Sequence, residues 1–580
     1  MSSWKRAITS EVMEVEETEV KTKIWRRYEQ AKDQHLRLNM HQAVKRAHNF
    51  YEGNQWEGAK TGGETLPVLN FIKPICKYQI GTVAMNDTAI IYNSMTDDDA
   101  LRDVCDQLTR FAAAQWEKGK MDSKKWEIIK NACITGDHYL YCYDERSPTE
   151  SVAVDLNPRL AMQLVDKDEI YLADEQQKDR EKQEWIIIRE RVPVTSVRRE
   201  AKKNGVPEEE IELIVSDEDL ASGDDATEEV KTDEGKCISL LYMEKTDAGV
   251  SFCRSVRSVV YQPMQTLAGM KHYPIAGMVW DVKHRSSRGV GVVERLIPNQ
   301  IEVNKTLARR SISVKRYGYP TAVVDSQKVQ NPESLQKVGS TVKVRNLGGN
   351  PISSMVGYIS PAPMSNDAAA LEAEILTQSR ELEGAGDAAT GQVDPTKTSG
   401  EAIKAARDQS ALPLNEQMSA YKQFVEDLAL IWMDLWKVYS TEGMSIEFKD
   451  DQQNPVSAFI PAQIMEALEV SVRIDVSPVD PYSVLSRELS LENALAAGHI
   501  TFEEYVSVLD DNSGVPKEKL QQILDRRKAA QEAMQAQQMQ QLMAMGANAG
   551  TAQIGGATMD TTAAMPDTQA QMGGVPVGMV

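Results

Sequence analysis

The feature that most restricts this 580-residue chain is a charge reversal near its middle. The formal net charge is −21, yet residues 282–320 carry nine Lys or Arg against two Glu. Residues 288–316 read as one helix, from Gly289 to Arg316, interrupted at Pro298. Residues 320–360 read as short strands, with turns at Asn331-Pro332 and Gly348-Gly349-Asn350. A second helix is predicted at about 365–384, with Leu371, Ile375 and Leu382 near one face. The segment 364–397 around it holds seven acidic and two basic residues. Any fold for this chain must place a basic helix, a small β-rich insertion and an acidic helix in succession.

The flanking regions mix helices and strands. Residues 15–50 read as a charged helix with apolar positions at Ile24, Trp25, Tyr28, Leu36, Leu38 and Val44, stopped at Gly53. Helices near 74–85, 97–120 and 123–134 follow. The Asp97-Asp98-Asp99 run begins the second, where negative charge suits the helix dipole. Ser123 is the expected N-cap of the third and Gly136 its end. Tyr139-Leu140-Tyr141-Cys142-Tyr143 reads as an aromatic-rich strand. Strands are expected at 151–156, 161–165, 184–192, 237–244, 250–261 and 275–281, around a helix near 195–203. The acidic stretch 207–235 reads as an exposed loop with short helices.

Beyond a Gly-rich loop reaching Gly400, a long helix at about 399–440 repeats apolar residues with helical period: Tyr421, Phe424, Val425, Leu428, Ile431, Trp432, Leu435 and Trp436. Pro413 inside it forces a kink or a break. Strands return at 444–449 and 470–476, and 483–530 reads as helical. The Gly/Ala/Thr-rich end lacks the apolar residues to offset chain entropy, so 546–580 reads as a disordered tail.

Composition narrows the function classes. Hydrophobic residues make up 41% of the chain and charged residues 26%, which fits a globular protein of about three or four units. Strong acidity argues against a conventional nucleic-acid-binding domain, but it does not exclude a DNA conduit, which must avoid gripping its cargo. The six cysteines form no C-x-x-C pair, so free thiols in a reducing compartment are expected. The acidic start lacks the apolar core of a signal peptide, and no uncharged apolar run approaches the roughly 18 residues of a membrane span. The chain is therefore expected to be made and assembled in a cytoplasm.

No catalytic motif is complete. Gly386-Asp387-Ala388-Ala389-Thr390-Gly391 starts like a phosphate loop, but Gln392-Val393 stand where Lys and Ser/Thr are needed. Arg288-Gly289-Val290-Gly291 holds a lone G-x-G, better read as a tight turn into the basic helix. Cys133, His138 and Cys142 are too loosely spaced for zinc and read as packed thiols near a histidine. The acidic runs at 97–99 and 217–225 read as solvated faces rather than a two-metal site. No cofactor is expected.

Several segments resemble the portal proteins of tailed bacteriophages, with a long C-terminal helical region of the podovirus type. They are Phe50–Trp56, Asn70-Phe71-Ile72-Lys73-Pro74, Ala132–Leu140, Gly289–Lys305 and Thr398-Ser399-Gly400-Glu401-Ala402-Ile403. The resemblance spans about 30–530 and rests on the order of elements. It implies an α+β portal fold: a wing at 1–285, a first stem helix at 286–317, a clip at 318–363, and a second stem helix at 364–384. A tunnel loop at 385–399, a kinked helix at 400–440, wing return strands at 441–482 and a helical crown at 483–545 would follow, ahead of the tail. The acidic stretch at 207–235 departs from the family as a large insertion.

The resemblance also implies a dodecameric ring at one capsid vertex, in the virion. Double-stranded DNA would pass through it during packaging and ejection, and no membrane would be involved. Terminase large subunit, major capsid and scaffold proteins and head–tail adaptor proteins would be the partners. The loop residues Gly386, Asp387, Thr390, Gly391, Gln392 and Lys397 would line the narrowest part. Glu372, Glu374, Glu381 and Glu383 would belong partly to a channel wall that repels phosphate, so reversing them to Lys should slow packaging or release. The basic residues Arg295, Lys305, Arg309, Arg310, Lys315 and Arg316 have three readings: an exposed face or one facing acidic neighbours, a contact with DNA phosphate, or a contact with the capsid shell. The competing readings are a packaging enzyme, nuclease or ATPase, and another capsid or connector protein.

Overall fold

The run Trp185-Ile186-Ile187-Ile188 is continuously apolar, which in a strand demands cover on both faces. The computed structural model supplies both covers. It describes residues 2–59, 66–96, 98–145, 156–217, 235–318, 321–337, 339–345, 348–349, 351, 355–359, 367–386, 412–440, 442–449, 455–478, 491, 494–508, 519–521, 523–524 and 526–527. They fall into two units, Met1–Pro478 and Val479–Val580.

The first unit is α+β. It opens with α1 (Ser2–Arg37), α2 (Met40–Glu52), α3 (Ile72–Ala84), β1 (Asn86–Ser94), α4 (Asp99–Lys118), α5 (Met121–Thr135) and β2 (Asp137–Asp144). Then come β3 (Leu160–Val165), β4 (Ile170–Leu172), β5 (Trp185–Pro193), α6 (Val194–Lys203), α7 (Glu208–Glu212), β6 (Lys236–Thr246), β7 (Gly249–Ser255), β8 (Val260–Ala268) and β9 (Ile275–Val279). The short strands β10 (Asp281–Val282) and β11 (Gly289–Val290) lead into α8 (Val292–Gly318). After it stand β12 (Thr321–Val324), β13 (Val356–Ile359), α9 (Asp367–Leu382), α10 (Asn415–Tyr439), β14 (Met444–Lys449), β15 (Pro455–Ile460), α11 (Ala462–Ala467) and β16 (Val470–Pro478).

Strands β4-β5-β6-β7-β8 form an antiparallel sheet in chain order. Alternation along it divides the apolar residues between two cores. Trp185, Ile187, Leu240 and Tyr242 meet Ile24, Tyr28 and Ala31 of α1, whose spacing places them on one helical stripe. Ile186, Ile188, Leu241 and Met243 face the main core. There β3-β2-β9 form a second sheet, on which α10 packs. Trp432 and Trp436 of α10 are fully buried, and each is worth about 2–3 kcal/mol of burial. The pair β1-β16 joins residues far apart in sequence, Asn86 opposite Pro478.

The second unit holds α12 (Phe502–Val508), entered through a capping box. The Glu504 backbone N–H reaches the Thr501 hydroxyl at 3.3 Å, and the Glu504 carboxylate accepts from the Thr501 backbone N–H at 2.8 Å. The Thr501 backbone N–H, with the Thr501 hydroxyl donating at 2.9 Å, holds the Glu504 carboxyl below its ordinary range. Tyr505 and Val506 centre a small apolar cluster with Leu495 and Ile500.

Several boundaries differ from expectation for identifiable reasons. The helix expected at 15–50 is two helices, broken where Asn39 adopts a left-handed conformation (φ 53°), which Asn tolerates. The third helix starts at Met121 after a left-handed Lys120, not at Ser123, because the fully buried Met121 side chain belongs to the core. The span 250–261 is two strands with a turn between Ser255 and Val260. Helix α8 begins at Val292 and runs through Pro298 without a break. The buried Leu296, Ile297 and Gln300 hold it there, and the carbonyl left without an N–H belongs to exposed Glu294. Pro413 stands in a one-turn 3₁₀ segment, Leu412–Leu414, ahead of α10. The expected strand 151–156 falls almost wholly outside the described residues, and the stretch 399–411 and the end 546–580, expected as helix and disordered tail, lie outside them.

Gly136 and Gly289 let two backbone segments cross in close contact. A Cβ on Gly136 (φ +106°) would lie 2.3 Å from the Gly289 carbonyl oxygen, and one on Gly289 would lie 2.2 Å from that of Gly136. Gly136→Ala adds backbone strain to this clash and is expected to cost about 2–4 kcal/mol. Gly205→Ala, also left-handed but facing open space, should cost about 1–2 kcal/mol from the backbone alone. Urea unfolding midpoints check this; equal losses would contradict the contact.

Candidate functional site

The residues just before α8 enter a buried ionic cluster. Arg288 is 4% exposed, and its Nε and Nη2 donate to the two carboxylate oxygens of Glu175 at 2.8 and 2.9 Å. Nη2 also donates to the Ile170 carbonyl at 2.7 Å, and Nη1 to the Lys167 carbonyl at 3.1 Å. Asp137 is fully buried and takes Lys167 Nζ at 2.8 Å, the Gly289 N–H at 3.0 Å and the Tyr139 hydroxyl at 2.9 Å. Burial alone would push the Glu175 carboxyl up; the Arg288 guanidinium, with help from His35, holds it well below the usual carboxylate range. Fork-to-fork geometry of this kind suits Arg, whose guanidinium stays charged when desolvated.

Further along, Gln300 and Asn304 of α8 are buried among backbone groups. Gln300 donates to the Leu69 carbonyl at 2.7 Å and accepts from the Phe71 N–H at 3.1 Å. Asn304 donates to Gln55, which itself donates to the Phe50 carbonyl at 2.9 Å. Asn70 closes the set by bonding the Phe50 and Tyr51 carbonyls at 3.2 and 3.0 Å. The segments 50–56, 70–74, 132–140 and 289–305, scattered in sequence, therefore meet around the first half of α8.

The second half of α8 is different. From Ser311 onward no residue of it is buried. Strands β12 and β13 pair, and between α8 and α9 only Val329 and Met355 are buried among the described residues. Helix α9 runs back along α8, fixed by Arg310–Glu372 (2.8 Å), Asn299–Ser379 (3.0 Å) and Arg295–Glu383 (3.1 Å). Large apolar side chains stay exposed along this hairpin: Val314 and Tyr317 on α8, Val323, Tyr358 and Ile359 on the strands, Leu371 and Leu382 on α9. Of Leu371, Ile375 and Leu382, read as lying near one face, Ile375 packs against the core, as does Leu376 beside it, while the other two stay exposed.

The predicted site residues separate into groups. Glu372 is buried and Glu383 half-buried, both turned into the hairpin as partners of Arg310 and Arg295. Glu374 and Glu381 are exposed. Arg295 also pairs with Asp281, and Lys305 with Glu302 at 2.9 Å. Arg309, Lys315 and Arg316 are exposed. Of the loop residues only Gly386 is described; Asp387, Thr390, Gly391, Gln392 and Lys397 lie outside the described residues. Sequence reading missed the Arg288, Glu175, Asp137 and Lys167 cluster altogether. Its one local signal was Arg288 beside two glycines; the other members are single charges in ordinary polar turns.

Of the remaining motifs, the Gly-rich run 386–391 and the acidic run 217–225 fall almost wholly outside the described residues. All six cysteines are buried thiols, and Asp98 caps α4 by accepting from the Ala100 N–H at 3.0 Å. Among the described residues no group of three or more His, Cys, Asp or Glu is placed to hold a metal ion, and no helix is long and apolar enough to cross a membrane. No protein-family model matches the chain, and no curated protein matches it.

The two kinds of ion pair should respond differently to truncation. Glu175→Ala leaves a buried guanidinium without its main partner and is expected to cost about 3–5 kcal/mol. Glu372→Gln breaks a pair whose Arg310 side chain is 45% exposed, and should cost within about 1 kcal/mol. Chemical denaturation of both variants checks this; similar losses would contradict the division into a rigid root and a lightly tied hairpin.

Proposed function

We propose that this chain is the subunit of a tailed-bacteriophage portal. In this reading copies close into a dodecameric ring at one capsid vertex, and double-stranded DNA passes through the hole during packaging and ejection. The observation that carries the proposal is the α8–β12–β13–α9 hairpin, with a firmly anchored base, exposed apolar side chains and two helices of opposite charge. Helix α8 holds six Lys or Arg and two Glu, while α9 holds four acidic residues and one Arg. A hairpin with one basic and one acidic flank complements a second copy head to tail, and contacts of that type generate rings when the rotation closes. The exposed apolar residues supply area for such a contact.

The rest of the assignment follows the same reading. The hairpin's helices are the two stem helices, its strands the clip, residues 385–399 the tunnel loop, and the first unit's remaining α+β body the wing. Residues 483–545 are the crown. Glu374 and Glu381, exposed on α9, are the acidic residues suited to repelling phosphate from a channel wall. The clip would dock the terminase large subunit and later the head–tail adaptors, and the outer body would meet capsid and scaffold proteins. The ring belongs to the virion and is assembled in the host cytoplasm.

Native mass spectrometry of the full chain tests this. A closed ring is expected, and Val314→Glu with Leu371→Glu should reduce it to monomer without changing thermal stability, since both sites are exposed. Glu374→Lys with Glu381→Lys should keep the ring but make it retard duplex DNA at low salt, where the parent ring does not. A parent chain that stays monomeric at every salt concentration, or a ring indifferent to both double substitutions, would overturn the proposal.

A further inference from the structure

His35 stands at the C-terminal end of α1, 6% exposed, stacked on Tyr171 of β4 with ring centroids 4.3 Å apart. Its Nε2 lies 3.3 Å from Arg288 Nη2 and 3.3 Å from Glu175 Oε1. Arg288 Nη2 already aims its two N–H groups at the Ile170 carbonyl and at Glu175 Oε1, so the neutral ring bonds the cluster by donating its Nε2–H to Glu175 while lying against the guanidinium. Counting charges makes the point sharper. Arg288 and Lys167 balance Asp137 and Glu175, so the buried cluster is neutral only while His35 is neutral.

We propose that His35 is a proton-operated latch that ties the end of α1 to the Arg288–Glu175 pair at the root of α8 and lets go on mild acidification. A second proton, on Nδ1, turns the ring into a cation pressed against the Arg288 guanidinium. That cation competes for Glu175 Oε1, the oxygen that Arg288 Nη2 uses at 2.9 Å. It also adds an unmatched fifth charge to a site closed to water, which is costly unless the helix end moves out.

The groups facing His35 come from every neighbouring element. Glu175 lies between β4 and β5, Arg288 before β11, Asp168 in the β3–β4 turn, and Tyr171 on β4; Asp137 of β2 and Lys167 lie behind the guanidinium. Burial lowers the histidine's proton affinity, opposed by Glu175 and reinforced by Arg288. Its stabilising contribution is therefore present above the ordinary value of 6.5 and is lost as pH falls below it. The rest of α1 stays put by its apolar stripe and by Lys23–Glu244 (2.8 Å), so the release is local.

Hydrogen exchange of the full chain at about pH 7.5 and about pH 5.5, corrected for intrinsic rates, tests the latch. Protection of residues 28–37 is expected to fall severalfold, to at most about tenfold, at the lower pH, while β5 and β6 keep theirs. His35→Gln and His35→Phe cannot take up the proton, and Phe keeps the Tyr171 stack, so both should abolish the pH dependence. His138 is a second buried histidine, in β2, whose proton affinity burial pushes down to about 4. His138→Leu should leave the effect intact. Equal protection of residues 28–37 at both pH values in the parent chain would overturn the proposal. So would a pH effect that survives both His35 variants, or one that vanishes only with His138→Leu.

Discussion

The constraint on which most of this structure depends is the crossing of two backbone segments at Gly136 and Gly289. Neither position has room for a Cβ, and that closeness lets Asp137 accept the Gly289 N–H and lets Arg288 reach Glu175. Strand β2 and the start of α8 are thereby locked at one point. Helix α5 ends there, the β3–β4 turn supplies Lys167, and α1 arrives with His35. A buried cluster of two cations and two anions is a weak source of stability compared with apolar packing of the same volume. What it contributes is a single permitted geometry, because each charge has one arrangement of partners.

That geometry matters for what lies beyond it. The first half of α8 is held by Gln300 and Asn304 against the 50–56 and 69–71 segments, so the helix leaves the body in a fixed direction. The second half, the strands and α9 are tied to each other by pairs such as Arg310–Glu372 and Arg295–Glu383 and carry exposed apolar side chains. A stiff root and an unsatisfied hairpin are what a subunit needs if its stability comes from its own core and its function from contacts with its neighbours.

Much of this was legible in the sequence where period and charge carried it. The apolar repeat from Tyr421 to Trp436 named the buried face of α10, and the reversal of charge between 282–320 and 364–397 marked the two hairpin helices. Strand β1 was missed because its partner, β16, lies almost four hundred residues away. The three-residue β4 was too short to register, and β15 opens on a proline, which argues against a strand. The ionic cluster was hidden for a different reason. Each of its members is an ordinary charged residue locally, and only the fold brings them together. Of the four glutamates read as one channel lining, two turn inward to arginines, a distinction set by helix rotation rather than by composition.

The most direct measurement is a cryo-electron microscopy reconstruction of the full chain purified on its own. The expected map is a closed ring whose inner wall is the α8–α9 hairpin, with Glu374 and Glu381 turned toward the hole and the Arg288 root buried in the surrounding body. A ring whose hairpins point outward into solvent, or particles with no ring at any concentration, would contradict the account.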